Sequence, residues 1–89
     1  MNDVTSWIGL LAGCLTTASF FPQARKTWQS RSAEDFSWPY LLLFGVGIVM
    51  WDIYGILRHD LAITVANTVT ILLISIIIVT KARYPKSPI

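Results

Sequence analysis

Residues 61–80 read LAITVANTVTILLISIIIVT, a run of 20 residues without a charged side chain. An α-helix rises about 1.5 Å per residue, so about 20 residues cross a hydrocarbon core roughly 30 Å thick. Two other runs have the same character, because residues 4–24 carry no charge and residues 37–57 carry only Asp52. The sequence predicts an all-α membrane protein, with residues 1–89 forming a single domain of three transmembrane helices at about 4–24, 37–57 and 61–80.

The composition argues against most soluble functions. Hydrophobic residues make up 54% of the 89 residues and charged residues 13%, about half of the share usual in soluble domains. The basic residues behind the net charge of +2 flank the apolar runs, so membrane lipid is the expected surrounding and nucleic acid is not an expected partner. The chain has no metal-ligand cluster, no glycine-rich phosphate loop and no converging Ser, His and acid. We therefore expect no enzyme, no metal site and no cofactor.

The distribution of lysine and arginine predicts the orientation of the chain. With three spans, the first connection and the C-terminus lie on the same side of the membrane. Six basic residues belong to that side and only Arg58 to the other; the six are Arg25, Lys26, Arg31, Lys81, Arg83 and Lys86. By the positive-inside rule, the N-terminus is outside and the C-terminus is cytoplasmic.

Three helices are too few to enclose a route for a polar solute, because a water-filled path needs walls on all sides. Either the chain is a passive anchor or it completes its walls by oligomerising, most often as a two-fold dimer. Every copy inserts in the same direction, so a dimer has its axis along the membrane normal. The expected assembly is a parallel two-fold homodimer.

Two polar side chains lie at matching depth in the second and third spans. Trp51 is six residues from Leu57, and Asn67 is six residues from Leu61, so both lie about 9 Å below the membrane edge. An aromatic face with an indole N–H, opposite an amide, offers the groups that a sugar needs. Alternatively, Trp51 belongs to an interfacial aromatic belt and Asn67 bonds neighbouring helices.

The rim near the second connection carries three further candidates. Tyr54 and Arg58 follow Trp51 at i+3 and i+7, so all three lie on one helix face. Asp60 begins the third span close to Arg58. An Arg–Asp pair there can latch a closed state with Tyr54 as a plug, or it can be a solvated pair of little energetic value.

Pro22 and Asp52 each allow more than one interpretation. Pro22 has no N–H, so the carbonyl of Ala18 loses its helical partner, and the helix either bends or ends there. Asp52 is the only acid within a span. It can be a proton or cation site, can pair with a basic or hydroxyl group, or can be solvated by a wide vestibule.

A longer set of residues resembles the SemiSWEET sugar transporters, the bacterial half-size relatives of SWEET proteins within the PQ-loop group. The resemblance extends over about Gly9 to Lys81. Its specific part is the Pro-Gln pair combined with the later Trp…Tyr-Gly…Asn spacing. The matching residues are Phe20 to Thr27, Arg31-Ser32, Ser37, Met50-Trp51, Tyr54-Gly55 and Ala66-Asn67.

The resemblance implies a parallel homodimer in the bacterial inner membrane, with one sugar route on its axis and alternating access without ion coupling. It assigns Trp51 and Asn67 to sugar binding. It also implies an outer gate formed by Tyr54, Arg58 and Asp60. It implies a hinge at Pro22 and Gln23, and an inner gate formed by Tyr40 and Phe44. Asp52 departs from the apolar residue expected after the tryptophan.

Three functions follow as hypotheses. The first is facilitated diffusion of a mono- or disaccharide by a homodimeric uniporter. The second is a proton-coupled exporter of small solutes that uses Asp52. The third is a non-transporting membrane subunit, in which Trp51 and Asn67 are packing residues.

The basic asymmetry leads to a topology prediction. A reporter fused after Ile89 should be active in the cytoplasm, and the His59→Cys variant should react with a membrane-impermeant thiol reagent added from outside. The physical reason is the cost of moving the six basic residues across the membrane. A C-terminal reporter active in the periplasm would contradict the orientation.

Overall fold

The computed structural model describes residues 3–85, which form three helices: α1 (Val4–Ser30), α2 (Trp38–Leu57) and α3 (Leu61–Arg83). Each helix is long and apolar enough to cross a membrane. Large apolar side chains are exposed, including Leu43 at 77% and Val4 at 73%, as suits a surface that faces lipid. The prediction of an all-α fold of three membrane-spanning helices is confirmed. Lys86, counted above among the basic residues, lies outside the described residues.

Helix α1 is longer than the first predicted span. It continues through Pro22 to Ser30, so the connection to α2 begins at Arg31 and not at Arg25. One proline removes one backbone hydrogen bond, while Ala24 and Thr27, just beyond it, are buried and hold the helix in place. The interpretation in which Pro22 ends the helix is therefore wrong.

Helix α3 lies between α1 and α2 and packs against both. Helices α1 and α2 meet through long side chains, with the rings of Phe20 and Phe44 5.1 Å apart between centroids. The Cα atoms extend over 54 × 22 × 14 Å. Since a helix with its side chains is about 10–12 Å across, the described chain is little more than a single layer of helices.

The connection between α2 and α3 is a tight turn of three residues. The N–H of Arg58 donates to the carbonyl of Tyr54 at 2.9 Å, and that of Asp60 donates to the carbonyl of Gly55 at 2.8 Å. His59 has a left-handed φ of 54°. A Cβ at Gly55 would lie 2.8 Å from side-chain atoms of α3, so only glycine allows the two helices to diverge from this turn at such close range. We call this end of the protein the turn end.

The opposite end, here called the loop end, is held by contacts between the α1–α2 connection and the last turn of α3. Ser37 caps α2, its hydroxyl accepting from the N–H of Tyr40 at 3.2 Å. The Lys81 ammonium donates to the carbonyl of Ala33 at 3.4 Å and lies 5.9 Å from the ring centroid of Trp38. These contacts tie the α1–α2 connection to the last turns of α3.

Candidate functional site

The three helices form a groove of about 460 Å³ in which α3 is the floor and α1 and α2 are the walls. Within residues 3–85, all three helices already form the floor and the walls. The side of the groove opposite α3 is therefore uncovered. The floor includes Ala66, Asn67 and Thr70; the walls include Thr16, Thr17, Phe20, Phe44 and Ile48. The groove thus places an amide and several hydroxyls between aromatic and aliphatic walls.

Asn67 is the amide on the groove floor. One of its N–H groups donates to the carbonyl of Ile63 at 2.8 Å, one helical turn back along α3. A carboxamide has two N–H donors and an acceptor oxygen. The bond to Ile63 orients the amide, and the groove side of Asn67 keeps further hydrogen-bonding capacity for a ligand.

The hydroxyls beside Asn67 join α1 to α3. The carbonyl of Ala66 accepts from Thr70 at 2.8 Å and from Thr17 at 3.0 Å, and the two hydroxyl oxygens are 2.9 Å apart. A Cβ added to Gly13 would lie 3.0 Å from the Cβ of Ala66, so glycine lets α1 approach the floor at this level. Sequence reasoning did not identify Thr17 or Thr70, because both spans contain several other serine and threonine residues and spacing alone does not single these two out.

Trp51 lies outside the set of residues that line the groove of one chain. It follows Phe44 and Ile48 on α2 at i+7 and i+3, so it continues the same wall toward the turn end. Its side chain is 56% exposed, and its ring meets that of Tyr54 edge-on, with centroids 5.5 Å apart. The structure therefore brings Asn67 into the groove and leaves Trp51 about one turn beyond it.

Aromatic side chains at i, i+4 spacing extend from the loop end to the groove. The rings of Tyr40 and Phe44 stack with centroids 5.7 Å apart, and those of Phe36 and Tyr40 with centroids 6.2 Å apart. Phe20 of α1 joins the series at Phe44. The two predicted inner-gate residues are thus in contact. Phe36 and Phe20 were missed, although the spacing 36–40–44 was visible in the sequence.

The three residues predicted for the outer gate all lie at the turn end. Tyr54 is 48% exposed and packs on Trp51. Arg58 follows the last residue of α2, and Asp60 caps α3, its carboxylate accepting from the N–H of Ile63 at 3.1 Å. The carboxylate thus has a structural role within one chain, and its pairing with Arg58 in a gate stays a prediction.

The predicted hinge residues Pro22 and Gln23 are exposed and lie within continuous helix on α1. Pro22 follows Phe21, one turn after Ala18, whose carbonyl has no N–H partner at residue 22. Beyond it, Ala24 and Thr27 are buried. This places the weak point of α1 between the groove and the anchored loop end.

Asp52 faces α3 and does not line the groove. Its Oδ2 accepts a hydrogen bond from the hydroxyl of Thr68 at 2.9 Å, whereas Oδ1 is buried without a partner among residues 3–85. Of the alternatives raised for this acid, pairing with a hydroxyl is the one that the structure shows. Within the same residues, no group of three potential metal ligands occurs.

Comparisons with known proteins match most of this chain to one family. Residues 4–64 match the PQ loop repeat family. The sugar transporter SemiSWEET of Leptospira biflexa is 42% identical over 74 residues, which cover 83% of this chain and 87% of that protein.

Two crystal structures are similar, each with a TM-score of 0.82 and 36% identity. One is of a bacterial homologue of SWEET transporters and covers 92% of this chain and 99% of its own. The other is of SemiSWEET in the inward-open conformation and covers 91% and 94%, respectively. From the family match, the identity and the shared fold together, the chain belongs to the PQ-loop family and, within it, to the SemiSWEET proteins.

Proposed function

We propose that this chain mediates facilitated diffusion of a mono- or disaccharide by alternating access in a parallel two-fold homodimer. The uncovered groove, with Asn67 on its floor and aromatic residues on its walls, is the observation that carries the proposal. The relative from Leptospira biflexa is called a sugar transporter, which supports the same solute class for this chain.

A second copy supplies the missing wall. The groove of one copy, about 460 Å³, already lies within the usual range for small-molecule sites of about 300–1,000 Å³, and a second copy that faces it across a two-fold axis encloses it. The axis then brings two copies of Asn67 and of Trp51 around one route. A parallel arrangement, with N-termini outside, agrees with the basic asymmetry of the sequence.

The enclosed groups suit a neutral polyol. Amides and hydroxyls donate to and accept from sugar hydroxyls, and the exposed ring of Trp51 offers a flat apolar face to the C–H side of a sugar ring. No side chain named in the floor or walls of the groove is charged. A neutral solute therefore crosses without stranding an unpaired charge in the bilayer.

Two constrictions then close in turn. At the turn end, Tyr54, Arg58 and Asp60 meet their copies and form the outer gate. At the loop end, Tyr40 and Phe44 form the inner gate with the rest of the aromatic series. Bending of α1 at Pro22 and Gln23 converts the state with a closed outer gate into the state with a closed inner gate, and back. The bend has this effect because the segment beyond Pro22 is anchored at the loop end, while the segment before it carries the groove wall.

A proton-coupled exporter is the second candidate, favoured by one observation. Asp52 is an acid within a span, and its Oδ1 has no hydrogen-bond partner within the described chain. Acids in membrane spans commonly mark proton or ion pathways. Against this candidate, Asp52 lies outside the lining of the groove.

The function is tested by uptake of a panel of sugars into proteoliposomes that contain only this protein, with and without a proton gradient. We expect at least one sugar to equilibrate at the same rate in both conditions, because no coupling ion is involved. Protein-free liposomes are the control. Accumulation above equilibrium that requires the gradient would support the Asp52 exporter, and absence of flux of any sugar would contradict transport.

The binding site is tested by the variants Asn67→Ala and Trp51→Ala. A lost hydrogen bond costs about 0.5–1.5 kcal/mol, and each change removes two contacts in a two-fold dimer. Since about 1.4 kcal/mol corresponds to a factor of ten, Asn67→Ala should raise the half-saturation concentration about tenfold or more. Trp51→Ala should do at least as much, because the aromatic face and the indole N–H are lost together.

Matched controls for these variants are Gln29→Ala and Trp7→Ala, which remove an amide and an indole that do not line the groove. Both should transport normally, and all four variants should remain dimeric by light scattering in detergent. If the two site variants keep the normal half-saturation and rate, the route does not pass between Trp51 and Asn67.

The hinge is tested by Pro22→Ala and Pro22→Gly. Alanine restores the N–H and completes the helix, so exchange between the two states should slow severalfold while the dimer stays intact. Glycine restores the same N–H but weakens the helix by about 1 kcal/mol relative to alanine, so it should transport faster than the alanine variant. Transport by Pro22→Ala at the normal rate would show that Pro22 is not a hinge.

A further inference from the structure

Asp52 and Thr68 form a polar contact between α2 and α3 at the level of the proposed sugar site. The Thr68 hydroxyl donates to Asp52 Oδ2 across 2.9 Å. Each partner is the next residue after a proposed sugar-binding residue, Trp51 on α2 and Asn67 on α3. We infer that Asp52 is a positioning residue, which holds the indole of Trp51 and the amide of Asn67 at a fixed relative depth through its bond to Thr68.

In an antiparallel helix pair, the bond between Asp52 and Thr68 fixes the depth of α2 relative to α3. A helix rises about 1.5 Å and turns about 100° per residue. The bond therefore keeps the backbones of Trp51 and Asn67 within about one helical turn of each other in depth. Sliding of α2 along α3 by even half a turn breaks the bond, and the same sliding changes the separation of the two side chains that hold the sugar.

The placement of the carboxyl group excludes direct contact with the solute. Asp52 continues the face of α2 formed by Gly45 and Val49, at i+7 and i+3, and these two residues line the seam between α2 and α3 on the side away from the groove. Its Oδ1 is buried within the same chain. Asp52 is also absent from the groove lining, so it acts through its neighbours and not on the sugar.

The bond has a counterpart at the other side of α3. There, Thr17 of α1 donates to the carbonyl of Ala66, the residue before Asn67. The floor residue Asn67 is thus flanked in sequence by one polar link to α1 and one to α2. The first fixes the groove wall that contains Thr17, and the second fixes the wall that leads to Trp51.

This inference rests on the proposed sugar transport, and it is tested in the same proteoliposomes with Thr68→Val and Thr68→Ser. Valine keeps the shape of threonine but has no hydroxyl, whereas serine keeps the donor. Thr68→Val should raise the half-saturation concentration about three- to tenfold, the effect of losing one hydrogen bond between membrane helices, and leave the maximal rate close to normal. Thr68→Ser should stay within about twofold of the unaltered protein by the same reasoning.

Ser75→Ala is the matched control, because Ser75 lies along the same seam but its hydroxyl donates only within α3, to the carbonyl of Ile71 at 2.7 Å. It should leave the half-saturation unchanged. Thermal unfolding in detergent, measured on all variants, separates positioning from stability. A merely structural role predicts a lower midpoint for Thr68→Val with unchanged half-saturation, and this result would overturn the inference.

Three other outcomes are also decisive. If Trp51→Ala and Asn67→Ala impair transport while Thr68→Val does not, the positioning role fails and the proposed function stands. If Asp52→Asn abolishes a gradient-driven uptake that Thr68→Val retains, Asp52 is a proton site and the positioning role is wrong. Absence of sugar flux in the unaltered protein instead removes the proposed function on which the inference rests.

Discussion

The close packing of α3 between α1 and α2 is the constraint on which the other features depend. Both contacts rely on glycine: Gly13 lets α1 reach the Cβ of Ala66, and Gly55 lets α2 and α3 separate from a three-residue turn. With α3 in the middle, α1 and α2 touch through the rings of Phe20 and Phe44. The groove above α3 therefore has two walls and a floor, and the protein is too thin to cover it. The proposal of a second copy rests on this arrangement and not on any particular interface residue.

Hydrogen bonding inside hydrocarbon explains which polar side chains hold the fold and which are available to a solute. In lipid there is no water to satisfy a polar group, so each one within a span needs a partner or a cavity. Thr17, Thr70 and Thr68 use their hydroxyls in bonds to a neighbouring helix or to their own. Asn67 uses one N–H locally and faces the groove with the rest of its amide. The same physical requirement thus produces both the links between the helices and the proposed binding group.

The loop end and the turn end differ in a way that suits a protein that moves. At the loop end, Lys81 reaches across to Ala33 and to the ring of Trp38, which fixes the connection to α3. At the turn end, α2 and α3 are joined by three residues, and the first half of α1 packs on α3 at Ala66. Pro22 of α1 lies between the loop end and the turn end. In the proposed mechanism, a bend at Pro22 changes the angle between the first half of α1, which carries the groove wall, and the second half, which is anchored at the loop end.

The sequence by itself determined the number of helices, their apolar character and most of the candidate residues. These features depend on local composition: a charge-free run of 20 residues has few alternatives to a membrane helix, and the predicted start of the second span at residue 37 agrees with Ser37 as the N-cap of α2. It also identified Asn67 as a polar residue in a costly place. Only the tertiary structure decided that α1 continues to Ser30, because a proline removes one backbone hydrogen bond and residue spacing does not say whether the helix resumes beyond it. It alone paired Asp52 with Thr68 and left Trp51 beyond the groove, since both depend on the register and rotation of α2 against α3, which residue spacing within a single helix does not encode.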